Sequence, residues 1–182
     1  MLETLKTAIK KIERHYFERK ERDFSHELYH QIRLQKLPIY TEVTCEHPKR
    51  RFSHSDTILE DPLVRRYFFA DEIDESKKIF RYPDLLIHEF ENRNQQLLAV
   101  EIKKQFNESQ IKRDLAKLIV YCRGRLRYKN GVLIIIQQAN TRRIIDVPDI
   151  REMLSNYPEV EIWTVFPERI DVYNSITINN QN

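Results

Sequence analysis

Residues 81–104, RYPDLLIHEFENRNQQLLAVEIKK, constrain the fold more than any other stretch of the chain. Two apolar runs of strand-like composition, 85–90 and 97–102, flank a polar segment, 91–96, whose Asn and Arg content suits a short loop. A β-hairpin is the simplest arrangement. With its loop centred between Arg93 and Asn94, Asp84 lies opposite Lys103 and Leu86 opposite Glu101. Side chains alternate along a strand, so Glu101 and Lys103 share one face while Val100 and Ile102 take the other. Two carboxylates and an amine, from Asp84, Glu101 and Lys103, then gather at one end of the hairpin.

Two carboxylates at the open end of a sheet offer hard oxygen donors to Mg2+ or Mn2+, ions that keep several waters and bind phosphate oxygens. Lys103 beside them has three chemical uses: to orient an attacking water, to act as a base if its pKa is lowered, or to offset charge in a phosphoryl transition state. Pro83-Asp84, sixteen further residues and then Glu101-Ile102-Lys103 resemble the PD-(D/E)XK motif of the restriction-endonuclease-like nuclease superfamily. For the short strings alone, a surface hairpin with an edge ion pair is the plain alternative.

The resemblance implies an α/β fold with an αβββαβ core, a central mixed sheet flanked by helices, and an added N-terminal helix. It covers roughly residues 24–137. It implies a Mg2+-dependent (or Mn2+-dependent) phosphodiesterase acting on nucleic acid, foremost a DNA endonuclease, with Asp84, Glu101 and Lys103 as catalytic residues. Asp84, Glu101, the carbonyl of Ile102 and Glu27 would be the metal ligands; Glu27 enters because FSHELYHQIR looks like the helix that precedes the core sheet in this superfamily. A nucleic-acid-binding or assembly module on the same fold, without cleavage, is the alternative from another class. A protein-interaction domain is the third.

Composition narrows the field. With 182 residues and 41% hydrophobic content the chain suits one α/β domain, 1–182, with a sizeable core. Its two glycines, Gly124 and Gly131, assemble no Gly-rich phosphate cradle or dinucleotide fingerprint. The formal charge of +3 does not by itself demand a nucleic-acid partner. Cys45 and Cys122 form no disulfide framework, and neither a signal peptide nor a membrane-length apolar run is seen, so a cytoplasmic protein without membrane association is expected.

In chain order, Leu2, Leu5, Ile9, Ile12 and Tyr16 predict an amphipathic helix from 2 to about 20, the main part of an N-terminal extension, 1–22, packing on its own domain or serving a homodimer. Asp23 or Ser25 caps a second helix carrying Leu28 and Ile32 inward. Residues 39–45 predict a strand, with Glu42 as a lesser site candidate. Residues 47–80 form an irregular insertion holding a short helix, 62–69. Neither His26 with His30 nor Cys45 with His47 and His54 matches a familiar zinc spacing.

Asn107 and Gln110 resemble a capping box opening a helix to about Arg123, with Ile111, Leu115, Leu118, Ile119 and Cys122 inward. Lys104, Lys117, Arg123, Arg125 and Arg127 are the expected nucleic-acid contacts, or otherwise a solvated basic face. Asn130-Gly131 signals a turn, and 132–136 reads as a strand buried on both faces. A short helix, 148–156, and a strand, 160–165, continue the alternation, Trp163 is core or edge packing, and 175–182 reads as a flexible tail.

Overall fold

A computed structural model describes residues 1–38, 40–45, 49–52, 57–69, 79–81, 83–89, 96–136 and 142–179. Ile39, His47, His54 and the hairpin loop 91–95 lie outside the described residues, and so does the zinc spacing weighed for Cys45, His47 and His54. The molecule is a mixed α/β structure in which a six-stranded sheet is flanked by helices.

The sheet runs β1 (Thr41–Cys45), β4 (Leu85–Glu89), β5 (Gln96–Lys103), β6 (Asn130–Ile136), β7 (Val160–Val165), β8 (Ile170–Tyr173) from edge to edge. β4 runs antiparallel to both its neighbours, β1 and β5; β5, β6 and β7 run parallel, and β8 returns antiparallel. Two short strands, β2 (Lys49–Phe52) and β3 (Ile79–Arg81), pair separately within the insertion. β6 is the strand the sequence reads most clearly: Gly131 through Ile136 are buried, as a strand covered on both faces must be.

The helices divide between the two faces. α1 (Leu2–Lys10) and α3 (Glu21–Arg33) cover one, where Phe24, Leu28 and Ile32 pack with Val100, Ile102, Val132, Ile134 and Trp163. α5 (Glu108–Arg123), α4 (Pro62–Phe68) and α7 (Pro148–Asn156) cover the other, where Leu115, Leu118 and Ile119 pack with Ala99, Leu133 and Ile135. A Cβ added at Gly131 would lie 3.1 Å from Leu118 Cβ and 3.2 Å from Cys122 Sγ. The glycine therefore lets α5 press onto β6, rather than serving the turn that Asn130-Gly131 suggests.

Four expectations about local structure are corrected. The helix expected from 2 to about 20 breaks into α1 and α2 (Arg14–Glu18), because the inward residue after Ile12 is Phe17 rather than Tyr16, and a five-residue step leaves the helical stripe; Glu13 turns extended between them. α3 begins at Glu21 with Lys20 as its cap, so Asp23 and Ser25 lie inside it and Ser25 is buried. The β4–β5 register is two residues tighter than expected: Leu86 faces Ala99, and a bulge falls between Ile87 and His88. Residues 175–179 form a short helix, α8, whose first amides bond to Asn174 Oδ1.

Other expectations stand. Asn107 Oδ1 accepts from the Gln110 amide at 3.2 Å, opening α5, and Trp163 is fully buried. Among the described residues no helix is long and apolar enough to cross a membrane.

Candidate active site

The tighter register preserves the faces, because strand side chains repeat every two residues and the slip is two. One step beyond the Leu85–Val100 pair, Asp84 comes level with the end of β5, and its Oδ2 accepts the Ile102 amide at 2.6 Å. Glu101 points to the α5 face and is 1% exposed. Lys103, two residues on, points the same way and lines a cavity beside α5.

α5 completes the cluster. Lys117 Nζ lies 2.9 Å from Glu101 Oε1 and 3.1 Å from Asp114 Oδ1. The Glu101 contact is an ion pair whose geometry falls short of a hydrogen bond, leaving Glu101 Oε1 buried without a hydrogen-bond donor. Lys103 Nζ lies 3.4 Å from Asp114 Oδ2 and 3.5 Å from Glu21 Oε1, and donates to its neighbour's carbonyl, Ile102 O, at 3.0 Å. Asp84, Glu101, Asp114 and Glu21 thus surround two lysines at the carboxyl end of β5.

Burial sets the protonation of this cluster. It raises the Glu101 carboxyl well above the ordinary glutamate range, against the pull of Lys117, and raises Asp84 against the pull of Lys103. Burial disfavours charge on Lys103 too, but Asp114, Asp84, Glu21 and Glu101 outweigh it and hold the ammonium above its usual value. Lys117 is held charged in the same way by Glu101 and Asp114. Of the three roles open to Lys103, fixed positive charge is therefore the one this environment supports; a lowered pKa for base chemistry is not found.

The donor set suits a hard cation. Asp84 and Glu101 are carboxyls that burial holds reluctant to ionise, and a nearby cation reverses that. Counted formally, four carboxylates surround two ammoniums, leaving two negative charges for a divalent ion. Among the described residues no three His, Cys, Asp or Glu side chains form a metal-binding group. Two carboxylates, one carbonyl and several waters are the coordination Mg2+ tolerates.

The remaining site expectations separate into two groups. Glu27 accepts from Gln31 Nε2 at 2.7 Å one turn along α3, and the α3 carboxylate that reaches Lys103 is Glu21. Glu42 pairs across strands with His88, 3.6 Å away. Lys104 is bound within the fold: its Nζ donates to the carbonyls of Glu18 and Arg19, and its amide donates to Glu21 Oε2 at 3.1 Å. Arg123 makes a two-point pair with Glu159, with Nη2 to Oε2 at 2.9 Å. Arg125 and Arg127 are exposed in the turn whose Lys129 amide bonds to Gln96 O, at the start of β5. Lys103 ends that strand, about 23 Å away at 3.3 Å per residue, so these arginines lie at the opposite end of the sheet. Of the predicted basic contacts, Lys117 alone joins Lys103.

Asp114 and Glu21 were missed, each for an identifiable reason. Asp114 lies three residues after Ile111 and four before Leu118, inside the inward stripe of α5, and a carboxylate in that stripe is the available signal. Glu21 falls outside the expected helix, whose cap at Asp23 or Ser25 lies three or five residues after the observed cap, Lys20. Comparison with protein-family models, curated proteins and solved structures finds no match to this chain.

Proposed function

We propose that this protein is a metal-dependent nuclease of the PD-(D/E)XK type, hydrolysing phosphodiester bonds of nucleic acid and foremost those of DNA. The observation that carries the reading is the convergence of Asp84, Glu101 and Lys103 at the end of β5, with Lys117 and Asp114 arriving from α5. Further support comes from the order α3, β1, β4, β5, α5, β6, in which three antiparallel strands are followed by a helix and a parallel strand, as the αβββαβ pattern requires.

Asp84, Glu101 and the Ile102 carbonyl would hold Mg2+, with Mn2+ as a substitute. When bound, the ion supplies Lewis acidity at a phosphoryl oxygen and a water of lowered pKa. Lys103, kept protonated by the carboxylates around it, presents fixed positive charge to the phosphate as negative charge builds on its oxygens. Lys117 holds Glu101 and Asp114 in place, and Asp84 is oriented by the Ile102 amide. Glu21 braces Lys103 from the far side.

The test is cleavage of labelled single-stranded, double-stranded and branched DNA, with RNA as control, by wild type and Lys103→Ala in Mg2+, Mn2+ or EDTA. Cutting by wild type that disappears in EDTA and in the variant is the expected result. One observation favours a silent nucleic-acid-binding module instead: the two lysines already compensate half of the cluster's carboxylates. Salt-sensitive DNA binding with no cutting in any metal would select that module.

A further inference from the structure

A cavity of about 220 Å³ opens between α4 and α5 against the end of β5, lined by Tyr67, Phe68, Lys103, Gln110, Arg113, Asp114 and Lys117. We infer that it is the seat of one unpaired nucleotide of a nucleic-acid strand; that this nucleotide adjoins the bond cut rests on the nuclease reading above.

Charge points to a phosphate-bearing ligand. Three cations, Lys103, Lys117 and Arg113, line the cavity against one carboxylate, Asp114, which contacts both lysines; Glu101 and Glu21 also pair with the lysines but do so from outside the cavity. Asp84 and Glu101 do not line it. The two lysines therefore separate a carboxylate side, suited to a cation, from a cationic side, suited to an anion. Gln110, Arg113 and Lys117, three and four residues apart, form one ridge of α5 along the cavity, so amide, guanidinium and ammonium donors follow one another as an extended strand would need.

The opposite wall points to a base or sugar. Tyr67 and Phe68 come from α4, which lies in the 47–80 insertion. Tyr67 is fixed before any ligand arrives: its hydroxyl donates to Asp149, and Lys112 lies 5.3 Å from its ring centroid. A preset aromatic wall loses little freedom on binding. The volume is below the roughly 300–1,000 Å³ of pockets that enclose drug-sized molecules, so one nucleotide unit is the scale it fits. A base stacked and paired in a duplex does not enter such a space; an unpaired one does.

The experiment is performed in EDTA, where metal-dependent cutting cannot contribute. Wild type, Gln110→Ala and Arg113→Ala are titrated with the dinucleotide pTpT, with inorganic phosphate and with a blunt duplex, followed by NMR. Wild type is expected to bind pTpT, with shifts at Tyr67 and Lys117, and to bind the duplex more weakly. Arg113→Ala is expected to weaken pTpT about tenfold, the scale of a lost charge-assisted hydrogen bond. Gln110→Ala, at an exposed helix position that folding tolerates, is expected to weaken it severalfold. Unchanged pTpT affinity in both variants, duplex binding as tight as pTpT, or inorganic phosphate binding as tightly as pTpT would overturn the inference. Arg113-dependent pTpT binding in a protein that cuts nothing in Mg2+ would support the nucleotide seat and retire the nuclease reading alone.

Discussion

The two faces of β5 lie at the same depth and carry opposite chemistry. Val100 and Ile102 are fully buried among Phe24, Leu28 and Ile32, and this side of the strand end is apolar. Glu101, between them in sequence and 1% exposed, looks the other way onto Lys117, which it shares with a second buried carboxylate, Asp114. Apolar burial stabilises a fold in proportion to area, whereas buried ion pairs are seldom better than apolar replacements of similar volume. A strand that packs equally deeply on both faces but places charge on one of them devotes one face to holding the molecule together and, on the proposed nuclease reading, the other to chemistry.

That contrast breaks most severely on its apolar side. Phe24→Ala should destabilise the fold by about 3–5 kcal/mol, as for other buried aromatics, since Phe24 is fully buried with its ring edge-on to Phe17; denaturant unfolding measures it. On the charged side, Lys103→Ala should cost less stability than Phe24→Ala, because the carboxylates it leaves behind can take up protons, yet reduce cleavage about 10²–10³-fold, the cost of removing one preorganised charge-stabilising group, read by single-turnover kinetics. Equal losses of stability in the two variants would erase the distinction between the faces.

Glu101→Gln sharpens the comparison through pH. The folded-state pKa of Glu101 is raised above its unfolded value near 4.5, so the folded protein retains a proton that the unfolded chain has released. Its favourable contribution is complete below about pH 4.5 and declines as pH rises toward the folded pKa. The variant lacks this decline, so in EDTA its stability relative to wild type should be higher at pH 8 than at pH 4.5. Thermal melts across that range would record the change. Mg2+ should raise the melting temperature of wild type and not of the variant, because only a folded state with its ligands intact gains from the ion.

The smallest effect is local. Asn107→Ala removes the side-chain acceptor for the Gln110 amide and should cost about 1 kcal/mol, with cleavage nearly preserved because no site side chain is lost. A large loss of activity would mean that the start of α5 positions Lys117 and Asp114 more directly than their mid-helix placement implies.

How far the site was legible depended on how local each signal was. Asp84, Glu101 and Lys103 could be read from alternation within one hairpin, and the two-residue error in register did no harm because it left every side chain on its face. Lys117 is expected from the sequence as a nucleic-acid contact; its observed partners are Glu101 and Asp114. Glu27 enters through the resemblance of FSHELYHQIR to a family helix, whereas the α3 carboxylate that reaches Lys103 is Glu21, and which carboxylate does so depends on how α3 docks. The arginines after α5 form a basic run in sequence, yet the parallel β5–β6 crossover carries that run to the end of the sheet remote from Lys103.

The sequence by itself determined the alternating faces of β5, the doubly buried β6, the span of α5 and its Asn107 cap, because these follow from periodicity and from hydrogen bonds a few residues long. Only the tertiary structure decided that Asp114 and Glu21 join the cluster, that Lys104 and Arg123 are taken up within the fold, and that α4 supplies an aromatic wall beside Lys103. Those outcomes depend on the offset at which separately formed helices dock onto the sheet, and that offset is set by packing across the whole core rather than by any segment's own pattern.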